Sequence, residues 1–470
     1  MKLTTWNVNG LRSLGQSLDA TLAQLGADIV CIQETKLSRD ALDASLAFPQ
    51  GFHSFYSFSR SGRGGYSGVA TFSATVPSAA QEGLSNTLLT KENEASSVGG
   101  GIHEHLAEDL TESLKGLDSE GRSVITRHLL TNRTTGKTLS LCVLNMYCPR
   151  WDGEKPERWR YKMDFYRLMQ CRVRALRDKG DHVLILGDLN VSLSRQDHCE
   201  PDADPEFDSR ESRLWLRSFL HHPRQNPDGQ MTDMFRHFHP DKKDAFTCWN
   251  MRIGARATNY GTRIDYVLAD KELVGLGVIA DCLLRPDVQG SDHCPVELIL
   301  TEEWKLVSAG DETQLPRLCS KFMPEFRGKQ RTLVEFLSTE KSSSTRGDHV
   351  STQPRKRRNN SRDSQQTSLT AFLSVSATSK KPKQELNTGK NDEGDSSSSS
   401  SQESSSQNAH WKSLFKGPPK APLCRHRESC LLRRVKKEGE NKNRQFWVCP
   451  RGEGRKDDPE ARCNYFQWVK

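Results

Sequence analysis

Along most of this chain, short runs of apolar and β-branched residues alternate with longer stretches whose apolar positions recur every three or four residues. The short runs predict strands over residues 3–8, 28–33, 67–72, 139–147, 182–188, 263–269 and 294–300. The longer stretches predict helices over 14–26, 157–179 and 210–221. Strands and helices interleaved in this way imply one large α/β unit. Segment 91–121 is polar and glycine-bearing, so an irregular excursion is expected there. Past Val307 the pattern breaks down. Residues 341–408 are mostly Ser, Gln, Lys and Asp, with too little apolar surface to offset the entropy of ordering them. The expected organisation is therefore a first domain over 1–307, a disordered linker over 308–409 and a small ordered module over 410–470. There is no internal repeat.

Composition sharpens this picture. Of the 470 residues, 34% are hydrophobic and 27% charged, the values of a folded part diluted by a polar, unfolded one. The net charge of +8 leans toward an anionic partner such as nucleic acid. No stretch approaches the roughly 18 apolar residues of a membrane span. The first residues already alternate as a strand does, so no secretory leader is expected. The chain has 13 cysteines. Those from Cys31 to Cys319 are irregularly spaced and read as reduced thiols of an intracellular protein. Cys424, Cys430, Cys449 and Cys463 cluster at the other end, which points to a metal.

Polar groups recur where the predicted strands end. TWNVNG carries Asn7 and Asn9, QETK carries Glu34, and NMYCPR carries Asn145 and Tyr147. GDLNVS carries Asp188 and Asn190, RIDY carries Asp265, and GSDHCPV carries Asp292 and His293. Strand ends in α/β proteins border the crevice where ligands bind. Acids, amides, a phenol and an imidazole around one crevice suit phosphodiester hydrolysis. Glu34 and Asp292 offer hard oxygens to Mg²⁺ or Mn²⁺. Taken singly, each group has a plainer explanation: Asx residues form turns, Glu34 could be a surface acid, and Tyr147 a packing aromatic.

Together, in this order, TWNVNG, QETK, GDLN, RIDYVL and GSDHCPV resemble the endonuclease/exonuclease/phosphatase superfamily. Their spacing is similar to that of its exonuclease III-type apurinic/apyrimidinic endonucleases. The resemblance spans about residues 1–300. It implies a four-layer α/β sandwich with two mixed β-sheets faced by helices. It also implies roles. Glu34 is the main metal ligand, with Asp292 and Asn9 nearby, and Asp188 and Asn190 are further candidate Mg²⁺ ligands. Asn7 orients that shell. Asp188 aligns or deprotonates the attacking water, and Asn190 positions the water and the phosphate. Tyr147 and His293 contact the phosphate, and Asp265 orients His293. Two features depart from the family pattern. Asn9 stands where some relatives carry Asp. Cys248 and Thr262 stand where strong abasic-site cutters carry large aromatics, an arrangement easier to reconcile with processing of 3′ ends. Trp249 could stack on substrate or belong to the core.

In the last module, Cys424, His426, Cys430, Cys449 and Cys463 are five candidates for the four positions of a structural Zn²⁺. Lys436, Lys437 and Arg444 lie between them, with Phe446 and Trp447 adjacent. Cations that track phosphates, beside aromatics that stack on bases, suit single-stranded nucleic acid. The pattern resembles the GRF-type zinc finger, although Asn443-Arg444-Gln445-Phe446 stands where Gly-Arg-Phe would. That resemblance implies the ligands Cys424, His426, Cys449 and Cys463, leaving Cys430 spare.

Two segments of the linker share one plan. Gln330, Leu333, Phe336 and Leu337 repeat as Gln366, Leu369, Phe372 and Leu373. Both resemble the box that binds the sliding clamp, proliferating cell nuclear antigen. The basic runs 354–358 and 380–383 read as nuclear localisation signals, with mitochondrial or cytoplasmic placement left open. The expectation is a monomeric, Mg²⁺-dependent DNA repair nuclease. Its substrates would be DNA with abasic sites or blocked 3′ ends, and its abasic endonuclease activity would be the weaker one. The competing readings are a non-catalytic DNA and clamp adaptor, or a small-molecule phosphatase of the same superfamily.

Overall fold

The computed structural model describes residues 1–326 except 62–64, 107–109 and 152–154, and residues 421–469 except 438 and 456–457. Residues 327–420, with both clamp boxes and both basic runs, lie outside the described residues. In chain order the strands begin with β1 (Lys2–Asn7), β2 (Ile29–Gln33), β3 (His53–Ser57), β4 (Val69–Ser73) and β5 (Ala79–Glu82). There follow β6 (Ser123–Asn132), β7 (Thr138–Tyr147), β8 (His182–Asp188), β9 (Met231–Asp233) and β10 (Cys248–Trp249). The domain closes with β11 (Gly261–Thr262), β12 (Asp265–Asp270), β13 (Ile279–Leu284), β14 (Val296–Leu300) and β15 (Trp304–Val307).

Two mixed sheets result. One runs β13-β14-β1-β2-β4-β3; the other runs β15-β6-β7-β8-β12-β9, with β5 also paired to β6. Only β1–β2 and β7–β8 are parallel pairs within these sheets. Leu3, Cys31, Val143, Leu184, Leu186, Val267 and Leu298 meet in a core between the sheets. These strands are apolar on both faces because each also supports a helix layer. Over the first sheet lies the helix Leu18–Leu25, which buries Leu18, Leu22 and Leu25. Ser17 caps its start, and Gly26 ends it in the left-handed region at φ 56°. Over the second sheet lies Pro156–Asp178, which starts with proline in its first turn and buries Tyr161, Phe165, Met169 and Leu176. The layer order is helix, sheet, sheet, helix.

The sheets are also stitched by polar groups. Asn145 is fully buried at the end of β7. It donates to Ala70 O at 2.8 Å and to Thr71 Oγ1 at 3.2 Å on the other sheet, and accepts from Gln33 Nε2 at 2.7 Å. Asn145 therefore ties the sheets together instead of facing the cleft. Asn145→Leu should cost about 2–4 kcal/mol, because Gln33 and the Ala70 carbonyl would lose buried partners. Urea unfolding measures this.

The first domain does not end at Val307. Leu315 and Cys319 pack against Phe55, Val69 and Tyr147. Phe326 meets Phe48 edge-on at 5.0 Å. The packed fold thus reaches at least Phe326. Short 3₁₀ turns, each with little apolar sequence of its own, hold this segment in place. The polar excursion after β5 is irregular as expected, yet it is anchored by Val98, Ile102 and Leu117 under the long helix.

The C-terminal module is a three-stranded antiparallel sheet, β16 (Leu431–Arg434), β17 (Gln445–Val448) and β18 (Phe466–Trp468). It forms one compact unit with the first domain. Glu453 N–H donates to Ile253 O at 3.0 Å, and Thr258 Oγ1 donates to Glu453 O. Gly452 lies so near Gly254 that a Cβ there would meet its carbonyl oxygen at 2.3 Å.

Candidate active site

Strand register assembles the site. Tyr147 on β7 stands opposite Asp188 on β8, and Asp188 stands opposite Asp265 on β12. In the other sheet, Asn7 at the end of β1 faces Gln33, and Glu34 follows directly. Both sheets therefore deliver functional groups to one rim. The chain then turns sharply. Asn9, Glu34 and Lys36 have φ of 51° and Asn190 of 53°, a left-handed conformation that non-glycine residues rarely adopt. These turns redirect the side chains at the ends of the strands, and such strain concentrates at functional sites.

Hydrogen bonds link the groups. Asn7 donates from Nδ2 to Glu34 Oε1 at 3.0 Å and to Asp188 Oδ2 at 2.9 Å, and so spans the two sheets. Its Oδ1 accepts from Asn9 N at 3.0 Å. Asp188 Oδ1 accepts from Asn190 N at 2.7 Å, and Asn190 Nδ2 donates to Asp188 Oδ2 at 3.1 Å and to Cys148 O at 2.9 Å. His293 Nδ1 lies 2.8 Å from Asp265 Oδ2. Asp188, Asp265 and His293 bring ligating atoms within 4.8 Å of one another. The Ser291 hydroxyl donates to Asn7 O at 2.8 Å and to Asp292 Oδ1 at 3.2 Å, which ties Asp292 to the end of β1.

Supporting residues that the sequence did not single out complete the arrangement. Thr247 donates to Asp265 Oδ2 at 2.6 Å. The buried Arg122 donates to Tyr147 O at 3.1 Å and lies 4.6 Å from the centre of its ring. Neither Thr nor Arg in a strand-like stretch announces such a role. Lys36 sat within QETK and could have been singled out.

The electrostatics follow from burial. Burial, then the neighbouring Asp265 and Glu34 charges, push the Asp188 carboxyl up to about 7, with His293 opposing. Burial works against a charged His293, but Asp265 outweighs it and holds the ring well above its ordinary value. The pairing thus favours the charged form of the imidazole. Burial and then the Glu34 charge raise the Tyr147 phenol well above its ordinary value, so it acts as a donor, not as a phenolate. Burial also opposes ionisation of Glu34, yet hydrogen bonds from Asn7 and Lys36 leave its carboxyl below the ordinary range.

The donor set fits a hard cation. The Lys36 ammonium sits 2.9 Å from Glu34 Oε2 and also donates to Asn9 Oδ1. A positive group already rests between two of the oxygens expected to bind metal. Glu34, Asn9 and Asp292 are the residues here that would hold Mg²⁺ or Mn²⁺. Asp188 and Asn190 bond to each other, Asp188 also accepts from Asn7, and Asn190 also donates to Cys148 O.

Cys248 pairs with Thr262 across β10 and β11, and Cys248 also bridges to His293. The wall beside the site is therefore small and polar. Trp249 is a core residue: it is 3% exposed, and its indole N–H donates to Asn259 Oδ1 at 3.1 Å.

Asp265→Asn should lower kcat about 10–100-fold, because His293 would lose its counter-charge. The sign of the pH effect follows. Without Asp265 the imidazolium gives up its proton at lower pH, so the alkaline limb of the pH–rate profile moves downward. A profile that keeps its alkaline limb in place would rule out this pairing.

In the C-terminal module, Cys424, His426, Cys449 and Cys463 place their ligating atoms within 4.8 Å of one another. Cys430 is outside that cluster and packs in the small core. Trp447 was expected to contact single strands, but it is 8% exposed and packed among the cysteines. Strand alternation explains this: Phe446 faces the other way, paired with Arg433 and Trp468. Phe446 instead clusters with Phe466 at 5.1 Å and Trp468 at 5.7 Å, and the Arg444 guanidinium lies 4.2 Å from the Trp468 ring. Lys436 and Lys437 are exposed.

Comparison with known proteins agrees with this geometry. Residues 4–293 match the endonuclease/exonuclease/phosphatase family, and residues 422–470 match the GRF zinc finger. The DNA-(apurinic or apyrimidinic site) endonuclease 2 of Xenopus laevis is 41% identical, covering 100% of this chain and 98% of that protein. The mouse protein of the same name is 37% identical over 100% of this chain and 99% of its own length. An exodeoxyribonuclease of Bacillus subtilis is 32% identical over 64% of this chain and 99% of its own. The crystal structure of the Xenopus laevis APE2 catalytic domain superposes with a TM-score of 0.62 at 46% identity, over 70% of this chain and 99% of that one. The chain belongs to the endonuclease/exonuclease/phosphatase family, and within it to the DNA-(apurinic or apyrimidinic site) endonuclease 2 group. It carries a catalytic domain of the divalent-metal type and a zinc-binding finger.

Proposed function

We propose that this chain is a DNA repair nuclease that acts chiefly from 3′ ends, as a 3′–5′ exonuclease and 3′-phosphodiesterase, with weaker cleavage at internal abasic sites. The Asn7-bridged cluster of Glu34, Asp188 and Asn190, set beside the Asp265–His293 pair, carries the hydrolytic part of this reading. The small Cys248–Thr262 wall carries the preference for ends, since it leaves little to enclose a displaced abasic sugar.

The residues divide the work. Asp188 is buried with a carboxyl near neutrality, as a base that takes a proton from water needs to be. Asn190 holds that water in line with the phosphorus. Tyr147 and the His293 imidazolium donate to the phosphoryl oxygens as negative charge grows. A divalent ion at Glu34 would supply further charge neutralisation to the phosphate and the leaving oxygen. The intact cluster argues against a non-catalytic adaptor, and the finger argues against a small-molecule phosphatase.

Purified chain with Mg²⁺ should shorten a labelled duplex with a recessed 3′ end faster than it nicks one with an internal abasic analogue. A faster nick than exonuclease step would reverse the preference. The finger, through Lys436, Lys437, Arg444 and the Phe446 face, would hold single strands. We further propose that the two boxes recruit the sliding clamp and that the basic runs direct the chain to the nucleus. Here the support is sequence alone. Phe372→Ala with Leu373→Ala should weaken clamp binding at least 10-fold in titration calorimetry, and unchanged binding would shift the role to the first box.

A further inference from the structure

Next to Asn190 lies a cleft of about 410 Å³ that the chemistry above does not use. Asn190 and Thr262 line its catalytic end, and Trp151 and Trp159 line its outer end. The two indole rings touch, with centres 4.7 Å apart and planes tilted by 56°. Each ring is pinned at its N–H, Trp151 by Lys155 O at 3.2 Å and Trp159 by Glu211 Oε2 at 3.0 Å. Pinned rings offer apolar faces at little entropic cost on binding. Arg210 stands beside them, 5.8 Å from the centre of the Trp151 ring.

The inner end has a second distinctive feature. Lys162 is 4% exposed and donates from Nζ to Asn190 O at 2.8 Å. Lys162 also lines the cleft, together with Asp204 and Arg210, and burial lowers its ammonium to about 8 against the pull of the neighbouring Asp188 charge. A lysine at the inner end of an open cleft suits an anionic ligand. Cation and catalytic amide at one end and aromatic faces at the other match a nucleoside monophosphate, with its phosphate inward and its base outward.

We infer that this cleft seats the 3′-terminal nucleotide as it is released, with its base against the Trp159–Trp151 wall and its phosphate beside Lys162. The inference rests on the exonuclease reading above and deepens it: the end nucleotide is held by its base, not merely tolerated. A terminus without a base lacks that hold.

The test compares ligands and ends that differ only in the base. In titration calorimetry with the full chain, dAMP should bind about 10-fold more tightly than deoxyribose 5-phosphate, as base stacking on an aromatic ring implies. Trp159→Ala should abolish that difference, and Trp159→Phe should keep most of it. In turnover, Trp159→Ala should cut the ratio of kcat/KM for a base-bearing end to that for a base-free 3′ block by about 10-fold. Equal binding of the two ligands by the parent chain would overturn the inference, as would a preference that survives Trp159→Ala or a ratio that stays constant. If Trp159→Ala lowers the melting temperature, Trp151→Ala serves in its place with the same expectation. A parent chain that degrades neither end would refute the exonuclease reading, while the calorimetric comparison would still judge the seat.

Discussion

Asp188→Ala should abolish turnover, lowering kcat by about 10³–10⁴-fold while DNA binding is retained. Asp188 is the point where the hydrogen bonds of both sheets converge, accepting from Asn7 Nδ2, Asn190 N and Asn190 Nδ2. It is 1% exposed, and its proton is held up to about 7 by burial and by the Asp265 and Glu34 charges. A base must be ionised to act. The acid limb of the pH–rate profile should therefore belong to this group, with kcat/KM rising with pH about a midpoint near 7 and levelling off above it. Added divalent cation favours the carboxylate and should move the midpoint to lower pH. Gel assays of end removal across pH, at two Mg²⁺ concentrations, measure both effects. Residual cleavage above about 1% in the alanine variant would hand the base role to another residue, and an acid limb insensitive to Mg²⁺ would separate Asp188 from the cation.

Most of the interior of this fold was legible in the sequence, and most of its margin was not. The β1, β2, β4, β7, β8, β12 and β14 segments were all expected within a few residues of where they lie. Most of these strands are buried on both faces, so their runs are continuously apolar. The strands not foreseen include the outer strands β3, β13, β9 and β15 and also β6, an inner strand whose sequence SVITRHLLTN mixes polar residues into its apolar run. Half-exposed edges carry mixed residues, as the alternating exposure of β13 shows. The site was legible for a related reason: each functional group sits one or two residues beyond an apolar run. What remained hidden were the groups that act across the fold. Arg122 beneath Tyr147, Thr247 beneath Asp265 and Lys162 behind Asn190 gain their roles only from packing. Trp447 was misjudged because adjacent residues of a strand face opposite ways, and composition does not say which face is wet.

The second large effect is expected in the finger. Cys449→Ser should strip zinc from the chain and unfold the finger, while the catalytic domain stays folded and loses only the contacts that Ile253 and Thr258 make with Glu453. Cys449 is 1% exposed and shares its site with His426, whose Nδ1 lies 3.4 Å from the Cys449 sulfur and 3.7 Å from that of Cys424. The apolar core around these ligands is little more than Trp447 and Cys430, with Tyr465 and Val469 at its edge. So small a core does not hold a fold by itself. Structural zinc contributes on the order of 10–16 kcal/mol in such modules, which makes metal binding and folding one event. Loss of one thiolate therefore removes the three-stranded sheet, and with it the face formed by Arg433, Phe446, Phe466 and Trp468. Single-strand affinity should fall at least 10-fold, read by fluorescence anisotropy, with bound zinc read by mass spectrometry under native conditions. Cys430→Ser is the counterpart: its sulfur lies outside the ligand cluster, so zinc should stay bound while the finger loses only packing. Zinc retained in the Cys449 variant, or lost in the Cys430 variant, would replace the ligand set, because only one of these two thiols can complete the tetrahedral site.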